Sequence, residues 1–328
     1  MSSVAQSRGP ATRLVFVDYL RAGAIIYIVG FWHLWEYAPN APAYQNSVTH
    51  TATLIALGLF VFLSGFLLGR SPVPRRGKDF LDFYRKRLLR VYPLYLAGLI
   101  VFVAVGLSDM ASAVKAAVGV SMFFGPSPPT VWFVAMLLWF YLLAPLLLAS
   151  APRVPLFIGI CAVLYVAMGV VAWILPQADK RLFAYFPAFA AGLAAGSQLW
   201  SPGRWLFFST VCAVGFPLLM CLVGDLGLMV VPLDGVVVLA GSACLFGMCA
   251  RNAQAFSVNR LLAFVSYASF AMYLFHRPIL AACTGAFMPD GFPLQWLYLT
   301  IVCLPLIGLV SWIVQRVYDQ MMINLRNS

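Results

Sequence analysis

Apolar stretches of about 20 residues recur along almost the whole chain, and a stretch of that length is enough for a helix to cross a bilayer. Backbone N–H and C=O groups find no water inside the hydrocarbon, so such a stretch must satisfy them within a helix. The pattern therefore predicts an all-α, polytopic transmembrane helix bundle of about ten spans. The predicted spans are residues 15–36, 48–69, 91–108, 131–150, 155–175, 181–200, 204–223, 231–250, 261–283 and 293–316.

Composition supports a membrane protein and argues against a soluble one. Hydrophobic residues make up 63% of the 328 residues and charged residues only 9%, whereas soluble domains carry roughly 25% charged residues. A net charge of +11 would suggest nucleic-acid binding in a soluble protein. Here the basic residues lie in short segments between apolar stretches, where they set membrane topology. The seven cysteines lie in apolar segments without a CxxC pair, so we expect neither a disulfide framework nor a metal site.

The distribution of lysine and arginine predicts the orientation. Most of these residues fall on one side of the ten-span arrangement, and the positive-inside rule places that side and both termini in the cytoplasm. We therefore expect a cytoplasmic tail at 1–13, a transmembrane domain at 14–316 and a cytoplasmic tail at 317–328, in the inner (plasma) membrane. No signal peptide is evident, so the first span is expected to stay as an anchor. The short apolar segment 112–125 is expected at the interface or as a re-entrant segment.

The first span carries three ionisable residues, which are costly in a membrane and therefore functional candidates. Asp18 and Arg21 are three residues apart and share a helix face. They form either a self-neutralising pair at the interface or a site in which Arg21 holds an anionic ligand that Asp18 helps to orient. His33 lies about 18 Å further along the helix. It is either a general base for a hydroxyl group or an interfacial histidine beside Trp32 and Trp35.

A basic cluster follows the second span. Arg87 and Arg90 lie at i and i+3 on one helix face. Guanidinium groups suit bidentate phosphate binding, so the pair fits a phosphorylated cytoplasmic ligand. The alternative is a topology signal that touches lipid phosphates.

The other two histidines, His50 and His276, should lie with His33 in the outer half of the bundle, opposite the arginine cluster. A protein that moves a group from an inner donor to an outer acceptor would need this division, although a transporter could also show it. Ser64 and Gly65 are small residues that favour close helix packing, and we do not interpret Ser64 as a nucleophile.

Several blocks in order resemble the acyltransferase-3 family, multi-spanning enzymes that O-acylate cell-surface glycans and some small molecules. The resemblance extends from about residue 14 to residue 280. The blocks are Asp18-Tyr-Leu-Arg21 with His33, Phe62-Leu-Ser-Gly65-Phe, Arg87-Leu-Leu-Arg90-Val-Tyr-Pro93, Trp132-Phe with Tyr141 and Pro145, and Ser266-Tyr267 with Tyr273, His276 and Pro278.

The resemblance implies that His33 is catalytic and that Arg21, Arg87 and Arg90 bind acyl-CoA from the cytoplasm. Asp18, Tyr273 and His276 would be supporting residues. The acidic residues that some members carry early in the fourth span are absent from residues 134–139. This absence argues against an acid-assisted base, and the chain resembles the branch that includes single-domain exopolysaccharide acetyltransferases.

The spacing between Arg21 and His33 is one residue longer than is usual in that family. Twelve steps of a regular helix leave the two side chains about 120° apart. A π-type turn between residues 22 and 33 would absorb the extra residue and bring His33 over the Arg21 face, and Gly23 and Gly30 would ease it. The alternative is a regular helix in which His33 faces elsewhere.

Together these features predict a membrane O-acyltransferase that moves an acyl group, acetyl as the first choice, from acyl-CoA to a hydroxyl of a surface or lipid-linked glycan. The expected partners are acyl-CoA, the glycan and membrane lipids, with no nucleic acid and no permanently bound cofactor. A glycan or lipid exporter and a structural membrane subunit are the alternatives. An exporter predicts polar residues spread over many spans and broken helices in matched halves.

Overall fold

The computed structural model describes residues 14–74, 76–197 and 230–327, and these residues form helices and no strand. Two short 3₁₀ turns, Val120–Met122 and Ala253–Ala255, lie between helices. The helices are α1 Val15–Trp35, α2 Ser47–Gly69, α3 Gly77–Ala104, α4 Met110–Ala117, α5 Trp132–Ser150, α6 Val154–Ile174, α7 Arg181–Gly196, α8 Val230–Arg251, α9 Arg260–Ala286 and α10, which runs through Phe292–Tyr298, Leu299–Cys303 and Leu304–Asn327.

Seven of the described helices are long and apolar enough to cross a membrane, so the protein is an all-α, multi-pass membrane protein. These seven are α1, α2, α3, α5, α6, α8 and α10. The predicted span 181–200 corresponds to α7, which has only 16 residues. The predicted span 261–283 lies within α9, whose serines, His276 and Arg277 make it less apolar than the seven. The predicted span 204–223 lies outside the described residues.

Helix α3 begins earlier than the sequence analysis placed it. The predicted span began at residue 91, but the basic segment before it forms the first part of the same 28-residue helix, which starts at Gly77. Lysine, arginine and leucine all favour helix, and the Asp79 carboxylate caps the start by accepting the Arg76 N–H at 2.9 Å. At the other end of the chain, residues 317–327, expected as a tail, continue α10 as helix.

The segment 112–125 contains no helix long enough to cross a bilayer. It holds most of the eight-residue helix α4 and a 3₁₀ turn. Side chains from α3 and α5 complete its hydrogen bonding: Tyr95 and Tyr92 donate to the carbonyls of Ala116 and Ala117 at 3.0 and 2.8 Å. Trp139 donates to the Gly119 carbonyl at 2.8 Å. Irregular backbone at membrane depth requires such partners.

Among the helices that the structure describes, α2 and α7 share the most extensive interface. Gly65 and Gly69 of α2 face Gly192 and Gly196 of α7, and a β-carbon at any of the four would overlap backbone atoms of the opposite helix. Reciprocal small-xxx-small pairs of this kind let membrane helices approach closely. The packing role predicted for Gly65 is therefore confirmed, and α7 is held at the centre of the bundle.

Helix α9 packs against both α1 and α10 and forms the framework of the site. Helices α1 and α9 run in the same direction, since Asp18 bonds to Ser266 near the start of both and His33 bonds to His276 further along both. We call the end where they begin the arginine end, and the end that carries His33 the histidine end.

Candidate active site

A π turn at Ile28–Trp32 interrupts α1 immediately before His33. The His33 N–H bonds to the carbonyl of Ile28, five residues earlier, which is the π pattern. Gly30 lies in this turn, where a β-carbon would come 3.3 Å from the Leu304 side chain of α10. The predicted π turn is confirmed. Its result is that Arg21 and His33 both face α9, because Arg21 lines a cleft with α9 residues and His33 contacts His276.

His33 and His276 form a pair of imidazoles at the histidine end. The His33 Nδ1 and His276 Nε2 atoms are 2.8 Å apart, and the ring planes lie within 6° of each other. His276 is fully buried, while His33 is half-buried. Within the described residues, the pair belongs to no cluster of three or more side chains that could hold a metal ion. The two imidazoles therefore form a hydrogen-bonded dyad.

The backbone around His276 decides which nitrogen atoms carry protons. His276 Nδ1 lies 3.0 and 2.9 Å from the carbonyl oxygens of Met272 and Tyr273. A carbonyl only accepts, so Nδ1 carries the proton and, in the neutral ring, Nε2 is an acceptor. His33 must then donate from its own Nδ1. This assignment leaves the lone pair of His33 on Nε2, which is the atom that can remove a proton from a substrate.

A second set of contacts anchors the dyad to the segment before α5. The Tyr273 hydroxyl donates to the Thr130 carbonyl at 2.9 Å, and Arg277 Nε donates to the Thr130 hydroxyl at 2.6 Å. Arg277 also donates to Glu36 at 2.7 Å, so an ion pair ties the end of α1 to α9. Thr130 is buried and has a φ of +66°, a conformation that costs a non-glycine residue about 1–3 kcal/mol. The bonds from α9 offset this strain.

Sequence reasoning missed the roles of Glu36, Thr130 and Arg277. Two signals were present: Glu36 follows His33 by three residues, and Arg277 is a charged residue within a predicted span, next to His276. The pairing of Glu36 with Arg277 could not be predicted, because 241 positions separate the two residues in the sequence.

At the arginine end, Arg21 lines a cleft of about 510 Å³ together with Asp18, Ser266 and Tyr267. Asp18 accepts a hydrogen bond from the Ser266 hydroxyl at 2.8 Å. Arg21 interacts electrostatically with Arg90 as well as with Asp18, so α3 brings its arginine to the same end. The cleft exposes the Arg21 guanidinium to a ligand, as the ligand-holding interpretation requires.

Arg87 and Arg90 have different surroundings. Arg87 donates to the Ser71 hydroxyl at 2.8 Å and lies over the Phe83 ring, while its buried Nε has no partner within the described residues. Arg87 is thus held in place, and its buried Nε–H makes no hydrogen bond with a described residue. Arg90 is exposed and interacts electrostatically with Arg21.

All three histidines lie at one end of the bundle. His50, at the start of α2, has its ring 6.5 Å from that of Trp32 and is exposed. The division between a histidine end and an arginine end is therefore present in the structure. About 18 Å of α1 separates His33 from Arg21.

A multi-pass helical bundle with an imidazole dyad at one end and an arginine-lined cleft at the other has the parts of a membrane-embedded group-transfer enzyme. The acyltransferase domain of the acyltransferase-3 family matches residues 14–316, so the chain belongs to that family and is a membrane acyltransferase. This membership confirms the resemblance and favours an enzyme over the exporter and the structural subunit. No curated protein and no solved structure matches the chain significantly.

Proposed function

We propose that the protein transfers an acyl group, acetyl as the first choice, from acyl-CoA at the arginine end to a glycan hydroxyl at the histidine end. The observation that carries the proposal is the His33–His276 dyad, whose hydrogen bonds leave His33 Nε2 as a free base. Since Arg21 and His33 lie on one helix and both face α9, a donor held by Arg21 lies on the same side of α1 as the dyad.

Arginines would hold the donor by its phosphates. Guanidinium groups bind phosphate through two parallel hydrogen bonds. Arg21 lines the cleft, and Arg90 is exposed and interacts electrostatically with Arg21. Arg87 is half-buried and held by Ser71, so it would contribute mainly its positive charge. The pantetheine arm would then extend the roughly 18 Å to His33 and present the thioester carbonyl there.

The transfer step uses only the donor, the acceptor and the dyad. His33 Nε2 removes the proton of the acceptor hydroxyl as its oxygen attacks the thioester carbonyl. The C–S bond then breaks, the acyl group remains on the acceptor oxygen as an ester, and the CoA sulfur leaves as a thiolate that takes the proton from His33. The charged His33 formed in between donates from Nδ1 to His276 Nε2, which stabilises it. A transient acyl-enzyme is the alternative route.

Basic residues support the direction of transfer. The positive-inside rule puts the arginine end in the cytoplasm, where acyl-CoA is available. The histidine end then faces the outer side of the inner membrane, where lipid-linked or growing surface glycans carry free hydroxyls.

The test is His33→Ala in purified protein and in cells. We expect loss of acyl transfer to the glycan with unchanged CoA binding, because the substitution removes the base about 18 Å from the arginines. His50→Ala is the matched control, since His50 lies at the same end and makes no bond in the dyad. NMR of the surface glycan measures acylation and calorimetry measures CoA binding. Full acylation by His33→Ala would refute the proposal.

A further inference from the structure

The cleft at the arginine end includes residues for which the sequence motifs gave no role. It lies between three helices, with walls from the start of α1, the start of α9 and the second half of α10. Arg260 is the first residue of α9, and Trp312 of α10 lines the same cleft. The lining residues that bear on ligand binding are Asp18, Arg21, Arg260, Phe264, Tyr267 and Trp312.

The charges of this cleft favour an anion. Neither Arg21 nor Arg260 donates a hydrogen bond to another described residue, so both guanidinium groups have their donors available. A third cation, Arg316, lies over the Trp312 ring with its guanidinium 5.0 Å from the ring centre.

The acidic groups nearby already accept hydrogen bonds from the protein. Asp18 accepts from Ser266. Asp319 accepts from the Tyr267 hydroxyl at 2.6 Å and from Gln315 at 3.0 Å. These two carboxylates therefore orient side chains of the cleft and reduce its positive charge, but they form no hydrogen bond with Arg260.

The cleft also has an aromatic wall. The rings of Phe264 and Trp312 are stacked, with centroids 6.1 Å apart and planes 28° apart. Aromatic rings beside guanidinium groups suit a planar heterocycle that carries phosphate. A volume of about 510 Å³ falls in the range of small-molecule sites.

The position of the cleft suits a long donor molecule that is bound at the arginine end and extends to the dyad. Arg260 and His276 lie on one helix, about 24 Å apart along its axis. Helix α1 runs beside it from Arg21 to His33 in the same direction. A nucleotide in the cleft would therefore direct the rest of its molecule along the α1–α9 interface toward His33.

We propose that the cleft between α1, α9 and α10 binds the phosphorylated nucleotide portion of the donor. Arg21 and Arg260 hold its phosphates, and the Phe264–Trp312 wall packs against its planar base. The inference rests on the proposed function for the identity of the donor, but the nucleotide chemistry of the cleft is tested separately with ADP.

The experiment measures CoA and ADP binding by calorimetry with the full chain in phosphatidylcholine nanodiscs. Arg260→Gln should weaken CoA binding about ten- to hundredfold, which corresponds to the loss of one charged hydrogen bond. Arg260→Lys keeps the positive charge and should weaken CoA binding less than Arg260→Gln does. Trp312→Ala should weaken binding and Trp312→Phe should largely keep it. Arg251→Gln is the matched control, because Arg251 is exposed at the end of α8 and does not line the cleft. Unchanged melting temperatures show that the variants fold.

The possible results separate the cleft assignment from the identity of the donor. If CoA binds the native chain and Arg260→Gln equally, the cleft assignment is wrong while the proposed function stands. If ADP binds in an Arg260-dependent manner but CoA does not bind, the cleft assignment stands and the proposed donor is wrong. If neither binds, both are wrong. If Arg260→Gln instead reduces co-purified phosphatidylglycerol and leaves CoA binding intact, the cleft is a lipid-headgroup site and the inference is overturned.

Discussion

Replacing His276 with phenylalanine tests the role of the dyad directly. The substitution keeps an aromatic ring of similar size at a fully buried position and removes the acceptor that lies 2.8 Å from His33 Nδ1. Both neutral tautomers of His33 then become available, and only the one with its proton on Nδ1 can act as a base at Nε2.

The expected loss follows from the bond that strengthens during the reaction. When His33 takes up the substrate proton, its bond to His276 becomes a charged hydrogen bond, worth about 1.5–3 kcal/mol. One factor of ten in rate corresponds to about 1.4 kcal/mol. The kcat of His276→Phe should therefore fall about ten- to hundredfold. The KM for acyl-CoA should change little, because the arginines lie about 18 Å from His33 along α1.

The assay is transfer of radiolabelled acetyl from acetyl-CoA to the isolated surface glycan, with the melting temperature of each variant as a folding check. His276→Gln keeps a side-chain acceptor and should lose less activity than His276→Phe. His50→Phe removes an exposed imidazole at the same end and should retain full activity. Native kcat in a correctly folded His276→Phe variant would show that the dyad does not orient His33.

Two further predictions concern packing and topology. Gly65→Ala should lower the melting temperature in detergent, since overpacking costs about 1–3 kcal/mol and the added β-carbon would overlap the α7 backbone. Gly23→Ala is its control, with nothing within 4 Å of the added carbon, and should be neutral or stabilising; equal effects at both sites would contradict the tight α2–α7 contact. A membrane-impermeant maleimide should label Ala43→Cys only from outside intact cells and Lys78→Cys only from the cytoplasmic side, with the native chain as background. The reverse pattern would invert the proposed orientation.

Local properties of the sequence were enough to predict the class of fold. Apolar stretches of spanning length require helices because backbone groups cannot remain unpaired in lipid. The π turn was predicted from the family resemblance together with helix geometry. The spacing between Arg21 and His33 is one residue longer than is usual in the family, so a local widening is needed if both are to face one side. The separation of arginines from histidines was likewise evident from their order along the chain.

The residues at which helices begin and end were harder to predict than the presence of the helices. The predicted third span started later than α3 does, because hydropathy marks the apolar part of a helix and not its amphipathic first turns. Helix α7 has the apolar composition of a span, but its 16 residues pack into the core of the bundle through Gly192 and Gly196. Hydropathy does not distinguish apolar residues that face protein from those that face lipid.

The order of residues alone predicts that the chain is a helical membrane protein, that its first span carries an arginine and a histidine, and that these residues resemble those of a known family. The hydrogen-bond partner of His33, in contrast, could be identified only from the packing of the helices. His276 lies 243 positions from His33, and the proton assignment depends on two carbonyls that follow from the position of His276 in α9. The cleft of Arg260 and Trp312 likewise exists only where α9 and α10 pack beside α1. Helical geometry is local and can be read along the chain, whereas contacts between distant helices depend on how all of them pack.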